Sequence, residues 1–91
     1  MTEPFQSILT ALQDERARLD ALLDDAVAQF ALVEEDMNAR MKVASPDELQ
    51  VLMAERARIE DALGIAELVL RIDDIREQIA RVKAEMAAAA A

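Results

Sequence analysis

Carboxylates are the most numerous side chains in this sequence that could take part in chemistry. The 91 residues include 19 Asp and Glu, whereas His, Cys, Tyr and Trp are all absent. A serine or threonine nucleophile needs a neighbouring base, most often histidine, and zinc sites usually rely on Cys or His. With a single glycine, the chain also lacks a glycine-rich phosphate loop. The composition therefore predicts a non-enzymatic protein that carries no cofactor.

Glu67 is the one acidic residue within an apolar stretch, so its copies could meet in a helical oligomer and hold a hard cation. Arg71 follows four residues later, in the favourable order for an ion pair on a helix. Helical di-iron sites also use a Glu-x-x-His motif, and the sequence has no histidine. The sequence also contains short runs of consecutive acidic residues. Neighbouring side chains on a helix point about 100° apart and do not converge on one ion, so these runs indicate solvated helix faces. We therefore predict no metal site.

The net charge of −9 disfavours direct contact with nucleic acid or with an anionic membrane surface. Arginines do cluster at Arg16 and Arg18 and again at Arg56 and Arg58, but acidic residues flank both clusters. No apolar run approaches the roughly 18 residues that span a bilayer. The first residues, Met1 to Phe5, lack the basic and apolar regions of a signal peptide. We expect a cytoplasmic protein that binds neither nucleic acid nor membrane.

The positions of these side chains depend on a turn near the middle of the chain. Ser45 has the properties of a helix N-cap, Pro46 those of a first helical residue, and Glu48 follows the cap by three residues. This is a capping box, in which the Ser45 hydroxyl accepts from the Glu48 amide and the Glu48 carboxylate accepts from the Ser45 amide. Because the residue before a proline avoids helical torsions, the preceding helix must end there. The motif predicts a turn at about 44–45 between two arms.

The first arm is predicted to be one helix over about 4–43. Thr2 or Glu3 leads into Pro4, which is acceptable at a helix start. The apolar residues that follow recur with a period of about 3.7, which predicts a nearly straight amphipathic helix.

The second arm is predicted to be a helix over about 46–88. Gly64 could end a helix at Leu63 and would then permit a three-helix bundle. The apolar pattern, however, resumes without any loop. We therefore expect one continuous helix, with at most a small kink at Gly64.

An apolar repeat of seven residues runs through the last part of the second arm, with alternate spacings of three and four. This heptad seam consists of Ile65, Leu68, Ile72, Ile75, Ile79, Val82 and Met86. Such a pattern predicts helix pairing. The stretch Ala62–Ile72 is also apolar nearly all round, so one helix from the same chain cannot cover it. We predict an oligomer interface formed by Leu63, Ile65, Leu68, Val69, Ile72, Ile75, Ile79, Val82 and Met86.

The predicted fold is all-α: residues 1–91 form a single domain, a long, coiled-coil-like antiparallel hairpin of two helices. We expect two hairpins to form a four-helix bundle, so that the chain is its own partner, as a dimer or a larger helical oligomer. In such a hairpin residue i faces roughly residue 89 − i. Arg16 then lies opposite Asp73 and Asp74, and we predict an ion pair with one of them that fixes the register.

These features favour a structural or adaptor protein, a homo-oligomeric hairpin that mediates protein–protein interaction. The alternative is an acidic chaperone or inhibitor that binds another protein, with carboxylates that imitate nucleic-acid phosphates in the case of an inhibitor. A third hypothesis, a bundle that holds a metal through carboxylates, requires bound iron, manganese or calcium in the purified protein.

Overall fold

The protein folds as a helical hairpin, as seen in a computed structural model that describes residues 3–91. The first arm is α1 (Glu3–Met41), and the second arm consists of α2 (Pro46–Leu63) and α3 (Ile65–Ala90). Both α2 and α3 pack against α1, and the hairpin measures 66 × 18 × 16 Å. No strand occurs in the described part of the chain. The predicted all-α hairpin is confirmed.

Helix α1 runs for 39 residues because no glycine or proline interrupts it after Pro4. Four residues of this stripe are buried against the second arm: Leu9, Leu19, Ala26 and Met37. The helix ends at Met41, where the Val43 amide donates to the Arg40 carbonyl at 3.3 Å in a tightened last turn. The start at Glu3 agrees with the predicted entry, whereas Thr2 lies outside the described residues.

Ser45 caps α2. Its backbone is extended (φ −69°, ψ 164°), and its hydroxyl oxygen accepts a hydrogen bond from the Glu48 amide at 3.3 Å. Pro46 opens the helix, and the Leu49 amide closes the first turn on the Ser45 carbonyl at 2.8 Å. The predicted capping box has a second hydrogen bond, from the Ser45 amide to the Glu48 carboxylate. This bond is not formed between these two described residues. Glu48 is exposed to solvent, so the lack of this bond costs little.

The expectation of a continuous helix through Gly64 was wrong. Gly64 has a left-handed backbone (φ 70°, ψ 25°), and its amide donates to the Asp61 carbonyl at 3.0 Å, which ends α2. Its own carbonyl accepts from the Leu68 amide at 3.0 Å, so that α3 begins with no intervening loop. Glycine has no Cβ and adopts this conformation at little cost. The result is a bend within the second arm, and because α2 and α3 touch each other far less than they touch α1, no three-helix bundle forms in the described residues.

Candidate functional site

The heptad seam lies mainly inside the hairpin. Ile72 and Ile79 are buried, and six of the other predicted interface residues are half-buried, namely Leu63, Ile65, Leu68, Ile75, Val82 and Met86. Val69 alone of the nine is exposed, at 42 %. That these nine residues form an oligomer interface stays a prediction. A heptad pattern identifies the face along which a helix pairs, but it does not identify the partner, and here α1 of the same chain occupies that face.

The predicted register ion pair is not formed. Arg16 Nε lies 3.8 Å from an Asp20 carboxylate oxygen in its own helix. Likewise, a guanidinium nitrogen of Arg76 lies 3.9 Å from Asp73, and the Gln78 amide donates to Asp74 at 2.9 Å. Partners three or four residues away on the same helix are within reach without crossing the hairpin, so these local pairs form instead.

Arg56 and Glu34 form the one ion pair that joins the two arms within residues 3–91. The Arg56 guanidinium carbon also lies 5.8 Å from the centre of the Phe30 ring, within range of a cation–π interaction. Both charged side chains are about one-third exposed, at 38 % and 35 %. Sequence reasoning missed this pair. The sequence did contain a signal for it. Arg56 occupies a position where the second arm's apolar stripe lacks an apolar residue, and the antiparallel register places Arg56 near Glu34.

Glu15 and Arg18 form a local ion pair on the surface of α1, with Arg18 Nε donating to the Glu15 carboxylate at 3.0 Å. This hydrogen bond is the main cause of a lowered pKa at Glu15, and it raises the pKa of Arg18. Desolvation partly opposes the effect at Glu15, and the charge of Arg71 on α3 adds slightly to it. Glu15 is therefore firmly ionised at neutral pH, which suits an ion pair.

A groove of about 340 Å³ opens where the second arm bends at Gly64. Polar and apolar groups contribute about equally to its lining, and Asp25, Gln29, Glu67 and Arg71 are its polar residues. The ion pair expected between Glu67 and Arg71 is not formed among the described residues. No group of three or more His, Cys, Asp or Glu side chains in residues 3–91 is placed to hold a metal ion.

A second groove lies beside the turn, and we call it the turn-end groove. It has a volume of about 530 Å³ and is lined by Arg40, Val43, Asp47, Glu48, Val51 and Leu52. Val43 and Val51 are 86 % and 63 % exposed. Neither valine belongs to an apolar stripe, so the periodicity of the sequence gave no role to them. An apolar floor with charges of both signs at its edge is suited to binding another protein.

Large apolar side chains are exposed along the whole hairpin. Within the described residues nine of them are 42–86 % exposed: Ile8, Leu22, Val27, Leu32, Val43, Val51, Met53, Val69 and Leu70. None of the helices in residues 3–91 combines the length and apolarity needed to cross a membrane. The chain matches no family model, no curated protein and no solved structure.

Proposed function

We propose that this protein is a non-enzymatic structural or adaptor module that acts as a homo-oligomer, with a dimer as the smallest unit. The observation that carries the proposal is the imbalance between its buried and exposed apolar side chains. Six apolar residues of the described chain are buried, whereas nine large ones are exposed. A second hairpin would cover exposed apolar surface and convert two helical layers into a four-helix bundle.

The exposed area supports self-association. The chain exposes 6653 Å², whereas a compact protein of its mass exposes about 5300 Å². Its radius of gyration is 20.0 Å, compared with about 12 Å for a compact domain of this length. A stable dimer typically buries about 800 Å² per partner. The hairpin therefore has more than enough additional surface for such an interface.

The chemistry at Glu15 fits a non-enzymatic role. A general base that acts near neutral pH needs a raised carboxylate pKa, usually through burial. The pKa of Glu15 moves in the opposite direction because Arg18 stabilises its charged form. A cytoplasmic location belongs to the same proposal, and the cysteine-free sequence fits a chain that needs no oxidising compartment.

An acidic chaperone or inhibitor is the alternative function. The two open grooves and the net charge of −9 favour it, because a basic, amphipathic segment of another protein would complement both features. Such binding should weaken strongly as salt is added, whereas apolar self-association should not.

Light scattering after size exclusion tests the proposal. We expect a mass twice that of the 10.1 kDa chain, at low and at high salt, over about a hundredfold range of protein concentration. A monomer throughout this range would contradict the homo-oligomer and favour the chaperone or inhibitor.

A further inference from the structure

We propose that the turn-end groove is where two copies of this chain meet, in an isologous contact about a two-fold axis. This inference rests on the proposed self-association and identifies the surface that mediates it. The partner is a second copy of the same groove, so that each hairpin turn covers the apolar floor of the other.

The local lack of burial is the first reason. None of residues 46–63 is fully buried, although α2 packs against α1. Val43 and Val51, on the floor of the turn-end groove, are among the most exposed apolar side chains of the described chain. A second copy would remove both valines from water, which is favourable in proportion to the apolar area covered.

Self-complementary charge is the second reason. Arg40 reaches the turn-end groove from the first arm, and Asp47 and Glu48 reach it from the second. A two-fold axis through the floor can place Arg40 of each copy against Asp47 and Glu48 of the other, so each contact occurs twice. Asp36 holds Arg40 on its own helix at 3.3 Å, and because both side chains are more than half exposed, Arg40 can share its charge with an acid of the second copy.

Rigid geometry is the third reason. Ser45 caps the helix and Pro46 opens it, so Asp47 and Glu48 lie in a fixed first turn of α2. Acidic groups held in advance lose little conformational freedom on association. The groove at Gly64 carries the same balance of two acids and one arginine, but its one strongly exposed large apolar residue, Leu22, is 44 % exposed against 86 % for Val43. A second copy would therefore remove more apolar side-chain surface from water at the turn-end groove, which makes it the better self-interface.

A charge-swap experiment tests the contact. Arg40→Glu alone, and Asp47→Lys with Glu48→Lys, should each weaken the homodimer by at least about tenfold. When the two variants are mixed, a heterodimer should form with an affinity near that of the wild type. Circular dichroism controls for folding, because acids in the first turn of α2 also favour the helix itself.

Cysteine cross-linking gives a second readout that does not depend on charge. The sequence contains no cysteine, so a single introduced thiol reports on one position. Val51→Cys should form a disulfide-linked dimer under mild oxidation. Leu70→Cys on α3 is the matched control, because Leu70 is 68 % exposed against 63 % for Val51. It should remain uncross-linked.

The outcomes separate the inference from the proposed function. A wild-type dimer, heterodimer formation by the swapped variants and cross-linking at Val51→Cys together support the contact. A wild-type dimer that ignores the charge changes, or that cross-links through Leu70→Cys alone, overturns the turn-end contact and leaves the homo-oligomer in place. A wild-type monomer overturns both.

Discussion

Helices α2 and α3 belong to the same arm and pack on the same partner helix, yet they differ in how much they bury. Helix α3 places Ile72 and Ile79 in the core, whereas none of residues 46–63 in α2 is fully buried. The strict heptad of α3 keeps one face towards α1 over its whole length. In α2, Arg56 interrupts the apolar stripe, and Val51 and Met53 point away from the core.

Under the proposed turn-end contact, pairing within the chain and pairing between chains would use different parts of the molecule. The most regular apolar pattern is satisfied inside the hairpin, where it defines the fold. The irregular pattern of α2 leaves apolar surface in water, and that surface is available to a second chain. Pattern strength alone favours α3 as an interface, whereas the proposed contact lies on α2 and the turn.

Truncation of core residues in α3 should produce the largest effect. Ile72→Ala or Ile79→Ala should each lower the free energy of unfolding by about 2–4 kcal/mol, because each leaves a cavity against α1. In α2, Ile59→Ala should cost about 1 kcal/mol, since the half-buried Ile59 has less apolar area to lose. Urea denaturation followed by circular dichroism measures these values.

All variants must be compared at the same protein concentration, because self-association, as proposed, would add to apparent stability. Leu70→Ala is the control, since the exposed Leu70 should contribute little to unfolding. Equal losses in α2 and α3 would show that the two helices are buried to the same extent in solution and would remove the contrast between them.

The hairpin itself could be predicted from the sequence because two independent signals agree. Ser45 and Pro46 locate the turn through local capping, and the apolar stripes on either side predict long helices that pack together. Neither signal depends on distant contacts. The sequence does not tell which surface an oligomer would use, because a helix face of suitable period has the same sequence whether its partner comes from the same chain or from another.

Two predicted details of the candidate site differ from the structure for another reason. At Gly64 an uninterrupted apolar pattern competed with a glycine that can end a helix, and only the packing of both halves on α1 decides between them. At Arg16 an acid in the same helix, Asp20, competed with the acids across the hairpin. Side-chain competition of this kind involves energies below about 1 kcal/mol, which residue spacing alone cannot rank.

Substitution at the bend should have the next largest effect and tests whether α2 and α3 are separate helices. Gly64→Ala should lower stability by about 1–2 kcal/mol, because an L-residue with a side chain is strained in the left-handed conformation. A Cβ at Gly64 would meet no atom within 4 Å, so steric contact adds nothing to this loss. Gly64→Asn is the control and should lose less, since asparagine tolerates the left-handed region.

The sign of the stability change in Gly64→Ala distinguishes two separate helices from one continuous helix. In a continuous helix, replacing an interior glycine by alanine raises stability by about 1 kcal/mol. A more stable Gly64→Ala variant, with unchanged helix content, would mean that α2 and α3 join into one helix in solution.

The cross-arm ion pair should have a smaller effect. A double-mutant cycle on Glu34 and Arg56 should give a coupling energy of about 0.5–1 kcal/mol that decreases with salt, as expected for a partly exposed pair. The same cycle on Arg16 and Asp73 should give a value near zero, because each residue has a partner in its own helix. The opposite ranking would restore Arg16 to the register role that its position in the sequence suggests.

The pH dependence of the Glu15–Arg18 pair should be the smallest of these effects, because both side chains lie at the surface. The folded-state pKa of Glu15 is below its ordinary value of 4.5, so the ion pair contributes stability above that pH. This contribution is lost as the pH falls through the lower, folded-state pKa. Glu15→Gln should therefore be slightly less stable than the wild type at pH 7, and the difference should vanish in acid.

Arg18→Gln provides the control for this pair, since once Arg18 is absent the change at Glu15 should have almost no further effect. In α2, Glu55 and Arg58 repeat the spacing of Glu15 and Arg18 but do not form the ion pair. The same cycle on Glu55 and Arg58 should therefore give a coupling near zero. Equal couplings in the two helices would indicate that spacing alone determines the pair. A larger coupling energy for Glu15 and Arg18 than for Glu55 and Arg58 would indicate that the nearby charge of Arg71 on α3 also favours the ionised form of Glu15.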